Sequence, residues 1–241
     1  MRRPLRSIVP LGFFGVVVAL IAQVGEAAPS SGSTSSCPLP PTDLCTDHKF
    51  LRGKWASGPI VYYVNETDAP AGFSQAVQAG FELWESEIKS EHVEAVYPGD
   101  RSTIDFQYGG TTTRSPARLG DGFNVVGFSQ TNAWCEHCAW VSREIKGGKI
   151  VEADIQWATS LGVPSDVFMT DVTCPTLDCN KYDIHSIAAH EVGHVLGLAH
   201  VDAEADQQLV MHPSTKRNEI QDRTLGAGDV LGLRTLYPAT A

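Results

Sequence analysis

Apolar and polar positions recur along this chain with periods that mark out its elements. Ile60-Val-Tyr-Tyr-Val64 is a short apolar run of strand type. Phe73, Val77, Phe81, Trp84 and Ile88 follow at spacings of four, four, three and four, which puts all five on one helical face and gives that face to the core. Thr103 to Tyr108 alternates and predicts a strand, and Asn124 to Phe128 predicts another. Lys149 to Trp157 follows a Gly-Gly turn and alternates, with Ile150 out of phase. Asp183 is a natural N-cap for a helix running to about Leu196, and a last helix spans Ala227 to Leu236 with Asp229 in its first turn. Strand, helix, several strands and two closing helices predict an α+β fold, a twisted mixed sheet that has an antiparallel edge strand and carries helices packed on it.

The first residues change the compartment rather than the fold. Arg2, Arg3 and Arg6 precede an apolar run from Ile8 to Ala22, and small residues follow at 25–28, the layout of a secretory signal peptide with cleavage after Ala27. The run is shorter than the roughly 20 residues a membrane-spanning helix needs, so residues 1–27 are read as a removable signal. A secreted product with no lasting membrane association is expected. Residues 28–54 read as a Ser- and Pro-rich spacer and N-terminal extension, and 55–241 as one domain. Removing residues 1–27 takes the formal charge from −10 to −12, which argues against a partner held through nucleic-acid phosphates. The six cysteines form three close pairs. Sequence does not fix their connectivity; local bridges Cys37–Cys45, Cys135–Cys138 and Cys174–Cys179 suit an oxidising compartment. A zinc knuckle at Cys135 and Cys138 is the lesser alternative, since no second Cys-x-x-Cys lies nearby.

The chemistry concentrates in His190-Glu191-x-x-His194-x-x-Gly197-x-x-His200. Residues four apart on a helix share a face, so His190 and His194 can offer both imidazoles to one ion. Zinc suits neutral imidazole at about 2.0–2.1 Å. Gly197 tolerates the left-handed conformation that ends a helix, and the turn can bring His200 back as a third ligand. Three protein ligands leave one position for water, the mark of a catalytic rather than a structural zinc. Glu191 sits beside the first ligand, where a carboxylate can take a proton from that water. Leu209-Val-Met211-His-Pro213 follows at a distance that allows a tight turn carrying Met211 beneath the metal.

This arrangement resembles the metzincin signature, and within that clan the chain is most similar to the matrixins. Ile187-Ala-Ala-His190, Met211-x-Pro213 and the stretch from Leu225 to Tyr237 carry the likeness, with Asp229 at a family aspartate; Ile150 to Ile155 resembles the edge strand of secreted bacterial members. The resemblance implies a metzincin-like zincin fold and a monomeric, secreted zinc-dependent endopeptidase acting on polypeptides. It implies one zinc on His190, His194 and His200, with Glu191 as general base, and Gly197, Met211, Pro213 and Asp229 as structural support, Asp229 tying the last helix to the methionine turn. The substrate would lie extended along the strand near 150–157, and the specificity pocket between the zinc helix and His212-Pro213, with Ser186 near it. The chain departs from the family at Val201 and Gly228, and shows neither the Pro-Arg-Cys-Gly-x-Pro-Asp motif nor the His/Asp-rich segment of vertebrate members. Calcium at Asp202, Glu204 and Asp206 is conceivable, but a solvated acidic loop is the preferred reading. His185 falls outside the ligand pattern, turned away from His190, and is read as a surface residue or one behind the ligands; His137, between two cysteines, is read as a loop residue, and His48, His92 and His212 show no partner in sequence. The rival reading is a secreted binding protein that keeps zinc for structure and cuts nothing; Glu191 argues against it, since a structural site has no need of that carboxylate.

Overall fold

The computed structural model describes residues 42–99, 101–129, 139–159, 164–201 and 207–239. The expected signal peptide, Cys37, Cys135, His137, Cys138 and the acidic residues at 202–206 lie outside these. The strands are β1 (Lys49–Phe50), β2 (Lys54–Trp55), β3 (Ile60–Asn65), β4 (Phe106–Thr111), β5 (Asn124–Ser129), β6 (Ala139–Lys146), β7 (Lys149–Ala158), β8 (Phe168–Met169), β9 (Tyr182–Asp183) and β10 (Leu198–Ala199). The helices are α1 (Phe73–Glu85), α2 (Glu91–Val96), α3 (Pro164–Val167), α4 (Ile184–Leu196) and α5 (Ala227–Leu236).

The main sheet runs β2-β7-β5-β3-β4, all parallel, with β6 antiparallel on the other side of β7. β2 pairs with the first two residues of β7 and β5 with its last four, so the two share one edge of that strand. This is the predicted mixed sheet, with one correction. The edge strand is β6; β7, which holds residues 150–157, is interior. Gly147 and Gly148 both have positive φ, 58° and 79°, which is what a two-residue type I′ hairpin requires at both central positions. The turn therefore folds 139–146 back onto β7.

Helix α1 buries the predicted stripe of Phe73, Val77, Phe81 and Trp84, but it stops at Glu85. Ile88 lies beyond it and is exposed, because Glu87 takes a positive φ of 46°. The Glu87 carboxylate is drawn inward instead, accepting from the Ser102 amide at 2.6 Å and from the Arg234 guanidinium at 2.7 Å. α1 packs closely on α4 through Gly80, where a Cβ would fall 2.7 Å from that of Ala188. Trp84 Nε1 donates to the Ala189 carbonyl at 2.7 Å across the same contact. A Cys174–Cys179 disulfide is present, as expected. Cys45 is also disulfide-bonded; its expected partner Cys37 lies outside the described residues.

Candidate metal centre

Helix α4 is anchored at its first turn by a charged cap. The Asp183 carboxylate accepts from the Ser186 amide at 2.9 Å and its hydroxyl at 2.8 Å. Arg223 meets the same carboxylate through Nε at 2.8 Å and Nη2 at 2.7 Å. Burial alone would raise the pKa of Asp183; the Arg223 guanidinium and the Ser186 donors outweigh it and hold the group below the ordinary carboxylate value. From this cap the helix buries Ile184, Ile187, Ala188, Val192, Val195 and Leu196, which leaves His190 and His194 on its remaining face. It ends at Gly197 in the left-handed conformation (φ 104°), where a Cβ would also fall 2.7 Å from the Gly53 carbonyl. Only glycine meets both demands.

The turn after Gly197 brings His200 back to the helix. Its Nε2 lies 3.1 Å from Nε2 of His190 and 3.1 Å from Nε2 of His194. Among the described residues this is the one group of three or more His, Cys, Asp or Glu side chains placed to hold a metal ion. Two of the rings are fixed from behind. His190 Nδ1 lies 2.6 Å from the Val210 carbonyl and His194 Nδ1 2.9 Å from that of Leu198. A carbonyl only accepts, so both Nδ1 atoms carry the proton and both Nε2 atoms present lone pairs. Burial first, then the neighbouring His190 and His200, push the His194 pKa well below 6.5 and keep that ring neutral. With His200 in the tautomer that presents its Nε2 lone pair, all three nitrogens would face one cation. Three nitrogens at about 2.0–2.1 Å from one tetrahedral zinc would stand roughly 3.3–3.4 Å apart, so the donor set fits that ion.

Glu191 is buried, and its Oε2 has no hydrogen-bond partner among the described residues. Burial pushes its pKa up to about 8. Below the rings, Met211 packs against α4 at Gly193: a Cβ there would lie 2.1 Å from the methionine sulfur. Asp229 accepts from the amides of Val210 at 2.9 Å and Met211 at 3.2 Å, and from Gly226 at 2.9 Å. One carboxylate thereby joins the methionine turn to the start of α5. The Val201 amide donates to the Met211 carbonyl at 3.1 Å, tying the far side of His200 to the same turn.

A family model described as "Matrixin" matches residues 54–238. This chain belongs to the matrixin family. Matrix metalloproteinase-20 of Homo sapiens is 32% identical over 81 residues, which is 34% of this matrixin and 16% of that protein. Metalloendoproteinase 1 of Glycine max is 36% identical over 90 residues, 36% of this chain and 24% of its own. The matched stretches thus span a quarter or less of those two relatives. Among solved structures, myroilysin is 13% identical with a TM-score of 0.40, covering 78% of this chain and 97% of its own. High choriolytic enzyme 1, a hatching enzyme zinc-protease from Oryzias latipes, is 12% identical with a TM-score of 0.38, covering 78% and 95%.

Within the matrixin site, the structure gathers His190, Glu191, His194, Gly197, His200, Met211 and Asp229 in one region, and Pro213 follows in the methionine turn. Ser186 is buried, with its hydroxyl donating to the Asp183 carboxylate. His185 is half-buried beside Ala79 rather than on the surface. His48, His92 and His212 find polar partners in Thr46, Asp43 and Ser214. The sequence reading passed over Gly193 and Trp55. The signal for Gly193 was a glycine in mid-helix, costly unless something occupies the missing side chain's place. Nothing in sequence marked Trp55, whose Nε1 donates to the Val195 carbonyl at 2.9 Å near the end of α4.

Proposed function

We propose that this matrixin is a secreted zinc endopeptidase that cuts extended polypeptides. The observation that carries the reading is the meeting of three imidazole Nε2 atoms, those of His190 and His194 presenting lone pairs, beside a buried carboxylate whose Oε2 has no partner among the described residues. His190, His194 and His200 would hold the ion. Zinc bound there supplies a Lewis acid that lowers the pKa of a coordinated water towards 7 and polarises a peptide carbonyl. Glu191 takes the water's proton at its free oxygen and later gives it to the leaving amine. Burial favours the protonated form of Glu191, which suits the second half of that exchange, and a cation close by favours the carboxylate needed for the first.

The substrate strand belongs beside β6 rather than β7. Among the described residues, the edge of β6 away from β7 pairs with no other strand, so its amides and carbonyls can receive an extended chain by strand addition. Secretion rests on the signal-like N-terminus and on disulfides at Cys174–Cys179 and Cys45. Among the described residues no helix is long and apolar enough to cross a membrane.

Substitution of the carboxylate tests the reading. Glu191→Ala should keep zinc and lose casein cleavage by about 10²–10⁴-fold, the usual share of general acid–base catalysis. Cleavage at the wild-type rate by a zinc-loaded Glu191→Ala protein would remove Glu191 from the mechanism and leave the structural-zinc reading.

A further inference from the structure

The segment from Asp43 to Trp55 precedes the main sheet and lies across the end of α4. β1 pairs antiparallel with β10, Lys49 opposite Ala199 and Phe50 opposite Leu198. β10 is the two-residue link between Gly197 and His200. The Leu51 amide donates to the Gly197 carbonyl at 2.8 Å, and the Trp55 indole to the Val195 carbonyl. The Trp55 amide donates to the Tyr237 hydroxyl at 3.1 Å, which itself donates to the Leu196 carbonyl at 2.7 Å. Carbonyls at the end of α4, left without partners inside the helix, are thus supplied by this segment and by Tyr237.

The other face of the segment is docked on α5. The Gly228 amide donates to the Cys45 carbonyl at 2.7 Å, and a Cβ at Gly228 would lie 2.0 Å from the Asp47 carbonyl carbon's oxygen. A Cβ at Gly232 would lie 3.1 Å from that of His48. Two glycines on α5 clear the path, and the Cys45 disulfide and the bonds from Ser90 (2.5 Å) and His92 (3.0 Å) to Asp43 hold the upstream end.

We infer that residues 43–55 form a positioning strap for the metal site. By fixing β10, the strap sets both the place of His200 and the Leu198 carbonyl that holds the His194 ring through Nδ1. The backbone positions of His190 and His194 come from the helix; the place of His200 and the orientation of the His194 ring depend on β10, which the strap holds on one side as the methionine turn holds Val201 on the other. A site whose last ligand must first be ordered binds its ion more weakly by the cost of that ordering, and groups that orient metal ligands from behind typically contribute 10–100-fold in affinity. The inference rests on the zinc reading above.

Two measurements on the full chain test it. Leu51→Pro removes the amide that bonds Gly197. Zinc affinity is read by competition with a chromophoric chelator, and coordination by the visible spectrum of the cobalt-substituted protein. Roughly 10–100-fold weaker zinc binding is expected, with an altered cobalt spectrum and a folded metal-free protein. Glu87→Gln, which breaks the contact with Arg234 away from the site, serves as control and should lower the melting temperature without moving the zinc affinity. The second arm needs no variant. Coupling is reciprocal, so saturating the wild-type protein with zinc, under conditions where Leu51 exchanges through local opening, should slow hydrogen exchange at the Leu51 amide by a factor similar to that lost in Leu51→Pro. Unchanged exchange at Leu51 on zinc saturation overturns the strap, whether or not Leu51→Pro folds. So does equal loss of affinity in Glu87→Gln. A wild-type chain that binds no zinc at the three histidines overturns the parent reading and the strap together.

Discussion

Glycine inside a helix costs about 1 kcal/mol against alanine, and α4 carries one at position 193 because the Met211 sulfur occupies the space its Cβ would need. The methionine thus meets the helix backbone between the two ligand turns, where a side chain would hold it off. Gly193→Ala gains helix propensity but forces Met211 out of place, an overpacking cost of typically 1–3 kcal/mol. Urea unfolding should show a net loss of about 1 kcal/mol or more. A variant more stable than wild type would mean that Met211 is not fixed against the helix. The same logic explains why His190, Glu191, His194, Gly197 and His200 were legible from sequence. Their positions follow from offsets within one helix and one turn, which local geometry converts into places in space. The part Ser186 plays in the helix cap was not legible, because its partner Asp183 is held by Arg223, 40 residues further along the chain.

Elements with a face were predictable and elements without one were not. α1 shows its apolar stripe because it packs on one side; α4, buried on nearly every face, was legible instead from its Asp183 cap and its Gly197 end. β6 is partly buried along most of its length, so no alternation marks it, and the two-residue strands β1, β2, β8, β9 and β10 are too short to have a period. β7 misled in a different way. Glu152, Asp154 and Gln156 alternate with apolar residues as they would on an edge strand facing water, yet all three are buried. Backbone amides take the place of solvent: Gly120 and Gly122 each donate to Glu152 at 2.6 Å, and Val125 donates to Asp154 at 2.8 Å. Asp154 stands where neither β2 nor β5 is in register with β7. Burial pushes its pKa up to about 8 from 3.8. A raised folded-state pKa gives stability that is present below 3.8 and lost as pH rises through about 8. Asp154→Asn can still accept from Val125 and does not titrate. Melting curves at pH 5 and pH 9 should therefore show the variant gaining on wild type towards the alkaline end. A constant difference between the two proteins across that range would show that Asp154 keeps its ordinary pKa.

The whole molecule is arranged so that distant parts of the chain meet around an eleven-residue motif. Trp55 and Tyr237 cap the end of α4, Asp229 fixes the methionine turn, and Trp84 bonds the middle of the helix. None of these long-range partners could be placed from spacing alone, because each depends on which surfaces the sheet brings together. They leave three imidazole Nε2 atoms together, two of them presenting lone pairs, and a buried carboxylate oxygen without a partner among the described residues, an arrangement that is favourable around a divalent cation. The most direct test is metal analysis of the purified protein combined with a casein-cleavage assay across chelation and zinc return. The account predicts one zinc per chain, loss of cleavage when it is stripped, recovery on adding zinc, and loss of both metal and cleavage in His194→Ala. Undiminished cleavage by the metal-free protein would contradict it.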